Sequence, residues 1–168
     1  MLEAACAAPD HGRLRPWRFV LVPADKRVLL AQAFEDALRE RDSLASAEQL
    51  EMAREKAFRA PVLLLAIAKL GLPGAPQSVQ EAGIGTPVHD SERLLAMGCA
   101  IQNLLLCAHA LGFGSGLTSG QAMHSQALRT LLTLTPQEQA VCCVNLGTVT
   151  RHRPNAERPP LGATLSTL

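Results

Sequence analysis

Leu94-Leu95-Ala96-Met97-Gly98-Cys99-Ala100-Ile101-Gln102-Asn103-Leu104-Leu105-Leu106-Cys107-Ala108-His109-Ala110-Leu111 runs straight into Gly112-Phe113-Gly114-Ser115-Gly116-Leu117-Thr118-Ser119-Gly120. The first part carries apolar residues on nearly every face at helical spacing, and Gly112 can end that helix. Asp90 or Ser91 can cap its start. A helix apolar all round predicts burial, either at the centre of a domain or against another subunit. The glycines that follow lack the context of a phosphate cradle, which leaves a strand and opens a helix; these leave a helix. They also lack the Lys-Ser/Thr pair of a P-loop. Ser115 is not in G-x-S-x-G order, so a nucleophile elbow is excluded. Two readings stay open: a helix cap with a tight turn into a strand, or a ligand-binding loop.

Toward the C-terminus, Ser125 to Leu132 reads as a short amphipathic helix. Thr135-Pro136-Gln137-Glu138 has the form of a capping box with Pro at the first helical position, which predicts one more helical turn. Val141 to Leu146 is an apolar strand, and from Arg151 the tail is Pro- and Arg-rich with no core pattern. Toward the N-terminus, Gly71 to Pro87 holds three Pro and four Gly without periodicity. A loop of that length inside a domain is usually mobile or functional. Val62 to Ala68 is a near-continuous apolar run after Pro61, the pattern of a strand buried on both faces. Ser46 to Phe58 is a polar helix. Pro23 and Ala24 open a helix through about Arg41 whose Leu30, Phe34, Ala37 and Leu38 form one apolar face. Trp17 to Val22 reads as a strand, and Leu2 to Ala7 as the last turns of a helix. Strands and helices do not alternate strictly and no repeat is visible, so the pattern predicts an α+β layered domain over residues 1–168.

The 168 residues are 48% hydrophobic and 18% charged, enough for a sizeable core. A net charge of +1 and a pI near 7.7 give no electrostatic case for nucleic acid or an anionic membrane. Aromatics make up 3%, with no Tyr, which argues against a base-stacking surface. Cys6, Cys99, Cys107, Cys142 and Cys143 are odd in number and contain no C-x-x-C pair. They read as reduced thiols packed as small hydrophobes. With Glu3, Asp10 and Arg13 interrupting any apolar leader, that predicts a reducing, cytoplasmic location. Pro61 to Ala68 is too short to cross a bilayer. Gln102, Asn103 and His109 make the long apolar segment read as a buried soluble helix.

A second loop carries charge: Ala8-Pro9-Asp10-His11-Gly12-Arg13-Leu14-Arg15-Pro16-Trp17-Arg18-Phe19. A loop histidine is ordinarily just solvated. Here Gly12 permits close backbone approach to a ligand, and Arg13, Arg15 and Arg18 supply positive potential for an anion. The other histidines (His89, His109, His124, His152) have no metal-ligand spacing, so no metal is expected. Glu35-Asp36 and Glu51-Glu55 sit on helices rich in Arg or Lys, where solvated ion pairs explain them. No side chain stands out as a catalytic nucleophile or proton donor.

The two loops together resemble those of the nitroreductase family of FMN-dependent oxidoreductases, most closely its small single-domain bacterial subgroup. The likeness runs in order along almost the whole chain. It takes in Ala8 to Phe19, Phe58-Arg59-Ala60-Pro61 with Val62 to Lys69, Gly98-Cys99-Ala100-Ile101-Gln102-Asn103 through Gly114, and Asn145-Leu146-Gly147-Thr148. The resemblance implies a mostly antiparallel central sheet flanked by helices, FMN as cofactor, and a homodimer with FMN at the subunit interface. Carried over by position, His11, Leu117, Thr118 and Ser119 would contact FMN. Cys107, Ala108, His109, Ala110, Leu111 and Gly112 would face NAD(P)H. In such enzymes the chemistry is the cofactor's, and the protein orients it.

Family members begin with a helix carrying an Arg-Arg-Ser type motif that grips the FMN phosphate. This sequence has no such motif, opens inside what resembles the second helix, and has Ala7 where an Arg is often found. Arg13, Arg15, Arg151 and Arg153 are the candidate replacements. The expected function is an NAD(P)H oxidoreductase passing hydride through flavin to nitroaromatic or quinone-like acceptors. Its rivals are a non-catalytic partner subunit of the same fold that no longer retains FMN, and a thiol enzyme built on Cys6.

Overall fold

Strand β2 (Val62–Lys69) shows why the chain folds as it does: its six inner residues are all buried. A strand with no polar face needs neighbours on both edges and a helical layer over each face. On its edges it pairs antiparallel with β1 (Trp17–Leu21) and with β4 (Glu138–Gly147). A fourth strand, β3 (Gly114–Thr118), pairs antiparallel with β4 and completes the order β1-β2-β4-β3. The structure is a computed structural model that describes residues 1–71, 88–151 and 157–167. Most of the loop expected over Gly71 to Pro87 lies outside the described residues, as does Arg153.

The alternation of side chains along the sheet sorts the core into two clusters. On one face Leu64, Ala66, Ala68, Cys142, Val144, Leu146 and Trp17 pack against Ala96, Met97, Ala100, Ile101, Leu104 and Ala108 of α4 (Asp90–Ala110), with Ala5 of α1 (Leu2–Cys6) alongside. On the other, Leu63, Leu65, Ile67, Ala140 and Cys143 meet Leu30, Ala31, Ala33 and Phe34 of α2 (Arg27–Arg41). Ala53 of α3 (Ala47–Glu55) and Leu128 of α5 (Gln126–Leu131) join that second cluster. The result is an α+β sandwich of helix, antiparallel sheet and helix, as the sequence pattern and the family resemblance both imply.

Two local expectations are corrected. The N-cap of α4 is His89, and neither Asp90 nor Ser91 caps the helix. Asp90 is already helical, and its carboxylate accepts a 2.7 Å hydrogen bond from the Gly71 N–H, tying the helix start to the end of β2. Thr135 to Gln137 form a turn, and Glu138 opens β4 instead of a helix. The capping-box bond does form, from Thr135 N–H to Glu138 Oε2 at 3.1 Å. The same carboxylate is clamped by Arg18 of β1, at 2.6 Å and 3.2 Å, which draws Glu138 into the sheet layer. Those hydrogen bonds from Arg18 also hold the Glu138 carboxyl below the usual carboxylate range. Within the single chain α4 is buried on one side only, which leaves the expectation of cover by another subunit open. Leu94, Leu95 and Leu106 are exposed, Leu95 at 69% and Leu106 at 57%. By length and composition alone α4 is apolar enough to cross a membrane; in the fold its inner side packs on the sheet.

One buried cation joins the second layer together. Arg27 is 5% exposed and donates to the carbonyls of Val22 (2.9 Å), Ala57 (2.7 Å), Ala60 (3.2 Å) and Pro61 (3.1 Å). These carbonyls lie at the exit of β1 and the approach to β2, where no ladder partner is available. Arg27→Met keeps the apolar stem but orphans the carbonyls. We expect it to lower unfolding stability by about 2–4 kcal/mol, read by urea titration. A loss below about 0.5 kcal/mol would show that water satisfies those carbonyls.

Candidate functional site

The glycine stretch forms a helix cap leading into a strand. Gly112 has φ +80, in the left-handed region open to glycine. The Phe113 N–H donates to the Ala108 carbonyl and the Gly112 N–H to the His109 carbonyl, both at 2.9 Å, which is the Schellman ending of a helix. The chain then enters β3 directly. Gly114 sits where a Cβ would come within 2.7 Å of Val149, so the strand lies close against the segment after β4. As the last strand in the order, β3 has one edge unpaired among the described residues, and alternate backbone groups of 114–118 face away from the sheet. Nothing lies within 4 Å of the point where a Cβ of Gly116 would sit. Leu117 is 51% exposed, Thr118 half-buried and Ser119 exposed.

The segment expected to face the nicotinamide nucleotide is the last turn and cap of α4. Cys107 is half-buried and Ala108 buried, so Ala108 belongs to the core and presents no side chain to a ligand. His109, Ala110, Leu111 and Gly112 are exposed. They continue into Phe113 and, through β3, to Leu117, so the two expected contact segments at this end are continuous in the chain.

His11 lies elsewhere. It opens a single turn of 3-10 helix (His11–Arg13), and its Nδ1 is 3.9 Å from Glu92 Oε1 in the first turn of α4. Glu92 and Cys107 are separated by about 22 Å of helix at 1.5 Å per residue. The loop leads into β1, at the opposite edge of the sheet from β3, roughly 14 Å across at the usual strand spacing. Within one chain, then, His11 and residues 117–119 are not brought together. The loop itself is tightly wound: Gly12, Arg13 and Arg15 all have positive φ, at 73, 55 and 47. The Asp10 carboxylate holds the turn by accepting from the Arg15 N–H. Both Arg13 and Arg15 are exposed and have no ion-pair partner among the described residues.

A match to the Nitroreductase family model spans residues 1–148. The chain belongs to the nitroreductase family. A Haemophilus influenzae protein named "Putative NAD(P)H nitroreductase" is 31% identical over 148 residues, covering 88% of this chain and 73% of that one. An Escherichia coli K12 protein of the same description is 28% identical over 151 residues, with the same two coverages. Among solved structures, a nitroreductase-like protein from Bacillus cereus superposes with a TM-score of 0.79 at 18% identity, covering 99% of this chain and 81% of that one. A variant of an FMN and NADPH-dependent nitroreductase from sphigopyxis sp. strain HMH gives 0.66 at 18% identity, with coverages of 99% and 85%. At those identities the structural likeness speaks to the nitroreductase fold.

The strand that one reading of the glycine stretch expects is β3. Sequence reasoning missed Asn145, a polar interruption in the apolar run Val141 to Leu146 whose side chain reaches β3. Cys6, the basis of the thiol alternative, is exposed at the last residue of α1. Among the described residues no group of three His, Cys, Asp or Glu could hold a metal ion. Burial pushes the Cys142 thiol up to about 11 and Cys143 up to about 12. A disulfide-exchange reagent at pH 8 should therefore label at most Cys6, Cys99 and Cys107 in the native protein. Cys142 and Cys143 should react only after denaturation; fast labelling of a fourth thiol would contradict the packing around β4.

Proposed function

We propose that this nitroreductase-family chain is an FMN-dependent NAD(P)H oxidoreductase that works as a homodimer. The observation that carries the reading is the open outward side of α4. Leu95 and Leu106 lie exposed on the longest helix of the fold, and Leu111, Phe113 and Leu117 continue exposed apolar surface toward β3. Solvent-facing leucines in that number on a central helix are the mark of an unpaired interface. A second copy across α4 offers the means for the His11 loop of one subunit to approach the β3 edge of the other.

The residues present suit a flat, anionic cofactor. No side chain projects from Gly116 and open space lies where one would start, and the edge of β3, unpaired among the described residues, offers backbone donors. Arg13 and Arg15, without an ion-pair partner among the described residues, offer guanidinium groups for a phosphate. FMN, when bound, supplies the hydride chemistry between a nicotinamide nucleotide and a nitroaromatic or quinone-like acceptor. Within the chain, His11, Leu117, Thr118 and Ser119 would hold the cofactor. Cys107 and His109 to Gly112 would border the nicotinamide, with Ala108 supporting them from the core. Their work is orientation and the exclusion of water.

Purified protein mixed with excess FMN and passed through a desalting column should retain a visible flavin spectrum. That spectrum should bleach on addition of NADH or NADPH without air. A colourless protein after saturation with FMN would favour the rival reading, a relative of the same fold that has lost its cofactor. The dimer is tested separately by light scattering. Leu95→Glu with Leu106→Glu should yield a monomer that keeps its helical circular dichroism and loses FMN. A double variant that stays dimeric would remove α4 from the interface.

A further inference from the structure

Asn145 of β4 sits opposite Gly116 of β3, with Thr118 two residues along. Its Nδ2 donates to the Thr118 Oγ1 at 3.1 Å and approaches the Gly116 carbonyl at 3.5 Å. A carbonyl oxygen can only accept, so the Gly116 contact sets which end of the amide faces β3. The other end, Asn145 Oδ1, is buried and has no hydrogen-bond partner; it is the one such side-chain atom among the described residues. An orphaned buried acceptor destabilises a fold, whereas an apolar group of the same shape there is close to neutral. The donor end of the amide serves β3, while its acceptor end stays without a partner inside the strand.

The amide acts on Thr118. Because Nδ2–H occupies a lone pair of Oγ1, the hydroxyl's own proton turns away from Asn145 and is free to donate elsewhere. Gly116 keeps the neighbouring strand position clear of any side chain, and open space lies in front of it. We propose that Asn145 is a positioning residue of the cofactor site: it fixes the Thr118 side chain and turns its hydroxyl into a ready donor toward an acceptor atom of the bound ligand. A donor held in place before binding loses no rotamer freedom when the ligand arrives. The assignment rests on the proposed cofactor lying against Thr118, on the sheet face that Thr118 shares with Gly116, and it adds a residue from a different strand to that face.

A double-mutant cycle tests it. Asn145→Leu, Thr118→Val and the double variant are titrated with FMN by quenching of flavin fluorescence, and their melting temperatures are measured without FMN. Asn145→Leu should bind FMN about tenfold more weakly, the usual scale for one well-aligned hydrogen bond. Its melting temperature without FMN should be unchanged or higher. Thr118→Val should weaken binding similarly, and the double variant should bind no more weakly than Thr118→Val alone, because the amide acts only through the hydroxyl. A merely structural asparagine would lower the melting temperature and give multiplying effects on affinity. Binding by Asn145→Leu within twofold of wild type, or a double variant in which the two losses multiply, overturns the assignment. If wild type itself takes up no FMN, the flavin reading falls and the assignment falls with it; loss confined to the variants separates the two cases.

Discussion

A strand buried on both sides can have no polar side chain in its middle, and β2 meets that condition from Leu63 to Ala68. Everything else is arranged around covering it. The two edges require β1 and β4, and the two faces require a helical layer each. Among the described residues α4 covers one face with help from α1, and its 21 residues span that face. Because α2, α3 and α5 share the other, they can be shorter and carry charged outer sides, as the Glu35–Arg39 and Glu35–Arg54 pairs show. The division of labour between one long helix and three shorter ones leaves α4 exposed along its outer side, and that exposure is the feature from which a subunit seam is argued.

The polar groups that occur in the interior are placed where the ladder cannot reach. Arg27 serves carbonyls where the chain leaves β1 and enters β2. The Arg18–Glu138 pair links the first residues of β4 to the outer strand β1, across β2. Both are long-range ties between segments far apart in sequence, and both stand at strand ends. Asn145 differs from them in kind. It lies well inside a strand and leaves one of its own atoms unsatisfied, which is the reason for seeking its role in ligand binding.

Much of the architecture was legible from the residues. The apolar run at Val62 to Ala68, the Leu30-Phe34-Ala37 face and the Gly112 stop each report a local rule acting on its own. What could not be read depended on groups distant in sequence. Thr135-Pro136-Gln137-Glu138 obeys the local grammar of a helix start, yet Arg18, 120 residues away, decides that Glu138 joins the sheet. The outer side of α4 is apolar in composition, and only the packed chain shows that Leu95 and Leu106 are left uncovered. Of the candidate site, the helix end leads through Gly114 into the strand that carries Leu117 and Thr118. The His11 loop came out at the other end of α4, because the entry to β1 carries it to the far edge of the sheet.

The junction at Gly112 has a further consequence. Between the last core contact of α4 at Ala108 and the first strand residue at Gly114 there are five residues, each spoken for by a hydrogen bond of the helix ending or by the cap itself. A one-residue insertion in the helix would swing everything after it by about 100° and advance it by about 1.5 Å. The β3 rim of the sheet is therefore geared to the rotation of the helix with no slack in the coupling. Variation in length among descendants of this chain has to be accommodated in other connections, while this short corner keeps its residue count.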